Sequence, residues 1–456
     1  MRRFTVLALQ VLALCFSTPA VAQGPSIIRD EEIERTLEGW MAPLLEAQNM
    51  DAESVNVILV QSPNINAFVT GGANIFIYTG LIERTDTPGE VIGVLAHELG
   101  HISGGHLIRG QEALKNASYE SILGTLLGIG VALATGESGA AGAISAGANS
   151  MAQRRFLAHS RVEEASADQS ALTTLERAQI DPQGFYSFME KLESEELLPT
   201  DQQSEYVRSH PLTRNRLDAI QAGIDRSKVA GQGYKDKWVE DHARMKAKLI
   251  GYINPGHIEW QYDPRNQTIA ANYARSIAAY RQDKIDLAVK LVDELIVQEP
   301  QNPYFYELKG QALVEYGRLS EGIDSYKSAH RLMKKKSPLI EAALGHALVE
   351  YAQKLPEAGK KKTLSDAILH FKTSLALEPN SPSTHRNIAI AYGRNGQENL
   401  AQLHLAEEAM LRREYQRATQ FAKAQLPNFE ENSREWLRLK DIIHFSSRAV
   451  EVKNKQ

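Results

Sequence analysis

Two histidines stand four residues apart in His97-Glu98-Leu99-Gly100-His101, with a carboxylate beside the first. On an α-helix that spacing separates the imidazoles by about 40° around the axis, so both can reach one ion. Glu98 is placed to take a proton from water activated there, and the chemistry so spelled is metal-assisted hydrolysis with a carboxylate as general base. Two imidazoles and a water leave zinc one protein ligand short of a hydrolytic centre. The best donor later in the chain is Glu164, in Glu164-Ala165-Ser166-Ala167-Asp168. Glu164 and Asp168 share a helix face, so one can bind the ion while the other accepts a hydrogen bond from a ligand histidine. The competing reading of such a pair is a solvated acidic face. A metzincin would need a third histidine at position 107, which is Leu107; His106 misses by one and is expected to pack near the end of the helix.

These residues need elements to hold them. Residues 27–50 read as an amphipathic helix with Ile33, Leu37, Trp40, Met41, Leu44 and Leu45 on one stripe. Val55–Val60 reads as a strand, and Ala67–Thr70 with Ile75–Tyr78 as a hairpin turned by Gly71 and Gly72. Thr87-Pro88-Gly89-Glu90 opens the motif helix, with Thr87 as N-cap, Pro88 in the first position and Glu90 closing a capping box. Val91, Val94 and Leu95 give that helix a buried face. A second helix, Arg161 to Glu176, carries the acidic pair, and a third starts at Thr213 after Ser209-His210-Pro211. Residues 122–151 are rich in Gly, Ala and Ser with Glu137 as the only charge, which reads as a flap over the site or a membrane-touching hairpin.

With 456 residues, the chain exceeds what one core fills, so two or more domains are expected. Arg2 and Arg3, an apolar run from Phe4 to Phe16 and Ala20-Val21-Ala22 read as a signal peptide, 1–22, cut after Ala22. Cys15, the only cysteine, lies inside it, so the exported protein is expected to fold without disulfides. Removing Arg2 and Arg3 takes 51 basic residues to 49 against 56 acids, a net charge near −7 that argues against a nucleic-acid partner. A Pro/Gly-punctuated connector at 254–266 separates a domain over 23–255 from a repeat region over 267–456. Gly310, Leu313, Gly317, Gly322, Tyr326 and Ala329 fit one tetratricopeptide unit, and Ala389, Tyr392, Gly396, Ala401 and Leu405 fit another. The stretch from Gly345 to Ala367 is longer than the repeat predicts, and a loop insertion containing Lys360, Lys361 and Lys362 is expected there. The expected architecture is an α+β domain, helices with a small sheet, followed by an all-α tetratricopeptide-like solenoid; a plain helical bundle is the alternative for the second part.

Taken together, Asn66-Ala67-Phe68, Thr79-Gly80-Leu81, the HExxH motif with His106 five residues on, Ser160-Arg161 ahead of Glu164 and Asp168, and His210-Pro211 with Arg216-Leu217 carry a family resemblance. The chain resembles the zinc peptidases that include HtpX and the CAAX prenyl proteases, and among them the periplasmic BepA type with C-terminal tetratricopeptide repeats. The resemblance implies a zincin-like metallopeptidase domain holding one Zn2+ per chain through His97, His101 and Glu164. It implies Glu98 as general base, Asp168 as partner of a ligand histidine, and the hairpin around Ile75–Tyr78 as an edge strand for an extended substrate. His210 reads two ways, as a residue occupying the open position on zinc and holding the enzyme latent, or as a loop histidine bonded to backbone. Arg216 either stabilises an oxyanion or pairs with an acid. The implied function is a periplasmic endopeptidase that degrades misassembled outer-membrane proteins and assists their assembly, with the assembly machinery as a partner of the repeats and a peripheral contact with the membrane. The alternative is a periplasmic chaperone or scaffold with a latent metal site.

Overall fold

Short alternating segments form a small sheet at the start of the chain in the computed structural model, which describes residues 26–70, 73–106, 150–196, 198–199 and 202–453. The expected leader and Gly71-Gly72 lie outside those residues, as does the expected flap up to residue 149. Strands β1 (Ser26–Ile28), β2 (Asn56–Gln61), β3 (Ala67–Thr70) and β4 (Asn74–Tyr78) are ordered β1-β2-β4-β3. Alternation turns Leu59, Ala67, Ile75 and Ile77 into the core, while Phe68 and Phe76 stack at 5.2 Å on the other face. β2 runs parallel to β4 and takes one of its edges, and β3 takes the other. Among the described residues the hairpin therefore offers its open edge through β3, while Ile75–Tyr78 is internal.

The described helices of this part are α1 (Glu31–Ala47), α2 (Thr79–Arg84), α3 (Pro88–Ser103), α4 (Ser150–Arg177), α5 (Gln183–Glu196), α6 (Glu205–Ser209) and α7 (Arg214–Ile224), with α8 (Asp236–Ile253) leading out. The stripe Ile33, Leu37, Trp40, Met41, Leu44 and Leu45 of α1 is buried in one core with Val91, Val94 and Leu95 of α3. Burying each such side chain stabilises by about 1.5–3 kcal/mol, an upper figure against an extended unfolded chain. The α3 cap differs from the expected box. Thr87 is the N-cap but its hydroxyl makes no capping bond, and Glu90 accepts from the Asp86 amide, one residue further back, at 2.9 Å. Lys191 and Ser187 on α5 hold the other side of Glu90 and draw it away from the Thr87 amide.

After a short turn and α9 (Ile258–Gln261), the remainder is helical: α10 (Ile269–Arg281), α11 (Ile285–Gln298), α12 (Pro303–Glu315), α13 (Leu319–Leu332), α14 (Pro338–Ala352), α15 (Glu357–Leu377), α16 (Pro382–Arg394), α17 (Glu398–Leu411), α18 (Tyr415–Gln425) and α19 (Arg434–Lys453). Each helix packs on the next along the chain, which makes a row of stacked helical hairpins. Asn302, Ser337 and Ser381 cap α12, α14 and α16, each ahead of a proline in the first position. In two hairpins a glycine admits an aromatic ring: a Cβ on Gly310 would lie 2.9 Å from Tyr326, and one on Gly345 would lie 2.8 Å from Phe371. The second pair is further apart in sequence, and the extra residues are not a loop. They lengthen α15 to 21 residues, because Glu357, Ala358 and the three lysines are good helix formers behind Pro356.

The first turn of α1 is gripped by the solenoid. Ser337 donates to Glu31 at 2.5 Å, Tyr273 donates to Glu32 at 2.9 Å, and Arg29 forks onto Glu378 at 2.6 and 3.1 Å. Lys248, on α8, reaches Asp30 at 2.8 Å and Glu32 at 3.2 Å. Near this cluster Glu307 is held well above the ordinary carboxylate range by burial, with Lys248 opposing. A raised native value means that the neutral acid fits the fold, so its stabilisation is complete below the unfolded pKa and is lost as pH rises through the native one. We expect Glu307→Gln to raise the melting temperature at about pH 9 more than at about pH 5, read by calorimetry; an equal change at both would refute the burial of a neutral acid. No described helix is long and apolar enough to cross a membrane.

Candidate metal centre

α3 presents His97 and His101 one turn apart, and α4 crosses it to bring up Glu164 and Asp168. The crossing is close because Gly100, inside the motif, lacks a Cβ that would sit 2.9 Å from the Ala167 carbonyl. His97 is fully buried, and Glu98, Glu164 and Asp168 are nearly so. His97 Nε2 lies 3.2 Å from His101 Nε2 and 3.3 Å from Glu164 Oε2, and His101 Nε2 lies 3.4 Å from Glu164 Oε1. Ligands about 2.0–2.1 Å from zinc at a tetrahedral angle are roughly 3.3–3.4 Å apart, so these spacings are of the size that zinc ligands have.

Proton bookkeeping points the same way. His97 Nδ1 lies 3.0 Å from Asp168 Oδ1, so in a neutral ring the proton belongs on Nδ1 beside that carboxylate and the lone pair on Nε2. That lone pair points at a second imidazole nitrogen and at a carboxylate oxygen. Burial alone would lower the His97 pKa, but Asp168 and Glu164 raise it to about 9, so the site calls for positive charge at Nε2. Burial and the neighbouring His97 and His210 push His101 down despite Glu164, so the imidazoles cannot all protonate together. One shared divalent cation satisfies every donor at once. Glu164 is held well below the ordinary carboxylate range by the surrounding histidines in spite of its burial, and is ionised as a ligand must be.

His210, at the C-terminal end of α6, completes a group of four whose ligand atoms all lie within 4.8 Å of one another. Its Nδ1 is 3.1 Å from Glu164 Oε2 and its Nε2 is 3.5 Å from Glu98 Oε1. Arg216 forks onto Asp168 at 2.7 and 2.8 Å, and its third nitrogen donates to the Pro211 carbonyl at 2.8 Å and lies 3.1 Å from Glu164. It thus ties the acidic pair to the loop that carries His210. His106 does more than pack: its Nδ1 is 2.9 Å from His101 Nδ1, so it meets the nitrogen of His101 that faces away from the cluster. The signal was Gly104-Gly105, where Gly105 has φ of 62° and folds the chain back on the helix end. A residue orienting a ligand imidazole typically supports metal affinity by 10–100-fold, so His106→Ala should weaken zinc binding by about that factor in a competition titration with a chelating dye. Unchanged affinity would reduce His106 to packing. Tyr206, which sequence spacing did not single out, lies four residues before His210 with its ring 4.7 Å from that imidazole.

Residues 28–224 match "Peptidase family M48". The chain is 25% identical over 336 residues to "Beta-barrel assembly-enhancing protease" of Escherichia coli (strain K12), covering 72% of this chain and 67% of that protein. It is 25% identical over 349 residues to the protein of the same name from Yersinia pestis, covering 74% and 68%. Against "Metalloprotease LoiP" of Escherichia coli (strain K12) it is 28% identical over 188 residues, covering 41% and 68%.

Proposed function

Through residues 28–224 this chain is a member of peptidase family M48, and on that premise we propose that it is a zinc-dependent endopeptidase of the bacterial periplasm that degrades misassembled outer-membrane proteins and assists their assembly through its repeats. The observation that carries the reading is the convergence of His97, His101 and Glu164 within metal-ligand distance of one another, with the buried Glu98 beside them. Zinc, when bound, supplies a Lewis acid that makes water more acidic and polarises a peptide carbonyl. Glu98 accepts the proton of the attacking water and passes it to the leaving amine. Its Oε1 accepts no hydrogen bond from the described residues, and its nearest charged neighbour is His210 Nε2 at 3.5 Å. Asp168 fixes the tautomer of His97, and Arg216 fixes Asp168. In this reading the open edge of β3 pairs with an extended substrate, main chain to main chain. His210 stands where a substrate oxygen would have to enter, and holds the enzyme latent until it moves aside.

The name carried by the relatives, beta-barrel assembly-enhancing protease, supports the substrate class. In the same reading residues 1–22 are a leader, 23–255 the peptidase domain and 267–456 the repeat domain, whose partners are unfolded polypeptides and the assembly machinery. The test is metal analysis of the purified protein with cleavage of an unfolded outer-membrane β-barrel protein by the wild type and by His210→Ala. About one zinc per chain, slow cleavage by the wild type and faster cleavage by the variant are expected. A protein without zinc, or one inert in both forms, would overturn the reading.

A further inference from the structure

Hydrolysis of a peptide needs a donor for the carbonyl oxygen as it becomes an oxyanion. The groups around this site can be sorted by whether they have a hydrogen to spare. Each nitrogen of Arg216 already faces a protein acceptor: Nε and one terminal nitrogen bond to Asp168, and the other donates to the Pro211 carbonyl and lies 3.1 Å from Glu164. His97 Nδ1 lies 3.0 Å from the Asp168 carboxylate, the acceptor nearest a proton on that nitrogen. His210 faces a carboxylate with each ring nitrogen, Glu164 through Nδ1 at 3.1 Å and Glu98 through Nε2 at 3.5 Å. Tyr206 is different. It is 1% exposed, and its hydroxyl has no hydrogen-bond partner among the described residues. A buried hydroxyl with no fixed partner carries a desolvation cost that a phenylalanine would avoid.

The ring is well held. It is wedged between Phe188, edge-on at 5.6 Å, and His210. Its backbone amide donates to the Ile65 carbonyl at 3.0 Å, and the preceding Glu205 accepts from Asn64 at 2.6 Å and Asn66 at 3.1 Å. Those bonds tie the start of α6 to the residues that lead into β3.

We propose that the Tyr206 hydroxyl is a further catalytic group, donating a hydrogen bond to the carbonyl oxygen of the scissile peptide as that oxygen gains charge. The inference rests on the peptidase reading above. In the step, the water oxygen bonds to the carbonyl carbon as Glu98 takes the water proton, the carbonyl π pair moves onto its oxygen, and the tyrosine keeps its own proton throughout. Because the bond strengthens only as charge develops, it acts on kcat more than on KM.

The test is Tyr206→Phe, made in the full chain and in the His210→Ala background. A peptide substrate, metal analysis, thermal melting and calorimetric binding of a phosphinic peptide, which mimics the tetrahedral state, supply the readouts. The expected result is a kcat about 100-fold lower with KM within about threefold, and phosphinic-peptide binding weakened by about 100-fold. Zinc content is unchanged and the melting temperature is no lower than that of the parent, because the ring stays and an unbonded hydroxyl leaves. A kcat within about threefold of the parent, undiminished phosphinic-peptide affinity, or a fall in melting temperature with loss of zinc would each overturn the role. A parent that neither holds zinc nor cleaves removes the peptidase reading itself, and the Tyr206 role with it.

Discussion

Glu98→Gln leaves zinc stoichiometric and lowers kcat by about 10²–10⁴-fold, the range that a positioned general base contributes. The two side chains have the same shape, so the buried site keeps its packing. Glutamine, however, has no carboxylate to take the proton of the attacking water and none to return to the amine. His97, His101 and Glu164, which hold the metal in our reading, are untouched, so metal analysis separates loss of the base from loss of the ion. The amide introduced by the substitution would face His210 Nε2, now 3.5 Å from Glu98 Oε1, and could donate to it. For that reason the comparison is best made in the His210→Ala background, where the histidine cannot be trapped. Turnover within about tenfold of the parent, with zinc in place, would sink the assignment of Glu98 as base.

What could be read from the sequence was what local spacing determines. The i, i+4 pairs at His97/His101 and Glu164/Asp168 set which side chains share a helix face, and the stripe on α1 set which face is buried. Neither pattern states that two such faces meet. That needs Gly100 opposite Ala167, a contact between residues far apart in the chain. What could not be read has the same origin. Nothing within the hairpin reveals that β2 pairs with β4 in parallel, which leaves β3 as the strand through which the hairpin offers its edge. β1 has three residues and too little alternation to be seen. Repeat arithmetic counted the extra residues before Ala367 correctly, but counting does not distinguish a loop from added turns of α15. Glu31 and Glu32 read as ordinary acids at a helix N-terminus and are buried, because Ser337, Tyr273 and Lys248 come from far along the chain to cover them. Tyr206 could have been found: it precedes His210 by one helical turn, and an aromatic residue at that spacing from a candidate ligand shares its face.

Arg216→Ala tests the buried ion pair on which the acidic half of the site depends, and it should be the most destabilising single change there. Arg216 and Asp168 are both almost fully buried and joined by two hydrogen bonds. The pair as a whole is no great source of stability, since both charges must leave water. Removing one partner is another matter, because the carboxylate stays behind in a dry site with only His97 to answer it, and Pro211 loses its donor. Breaking a buried pair in this way costs about 3–5 kcal/mol, which for a domain of this size lowers the melting temperature by roughly 6–20 °C. Burial pushes Asp168 up, but Arg216 and then His97 bring it below its ordinary value, so the stabilisation is present above the unfolded pKa and is lost as pH falls through the native one. The gap between wild type and Arg216→Ala should therefore be widest near neutrality and close toward about pH 3, as followed by denaturant unfolding. Arg216→Lys should recover little, since an ammonium cannot make both bonds to Asp168 at once and still reach Pro211. A double variant, Arg216→Met with Asp168→Leu, separates stability from function. It removes both charges and should recover much of the lost melting temperature, yet bind zinc about 10–100-fold more weakly because His97 loses the acceptor that fixes its ring. If the double variant bound zinc as tightly as the wild type, Asp168 would have no part in orienting His97.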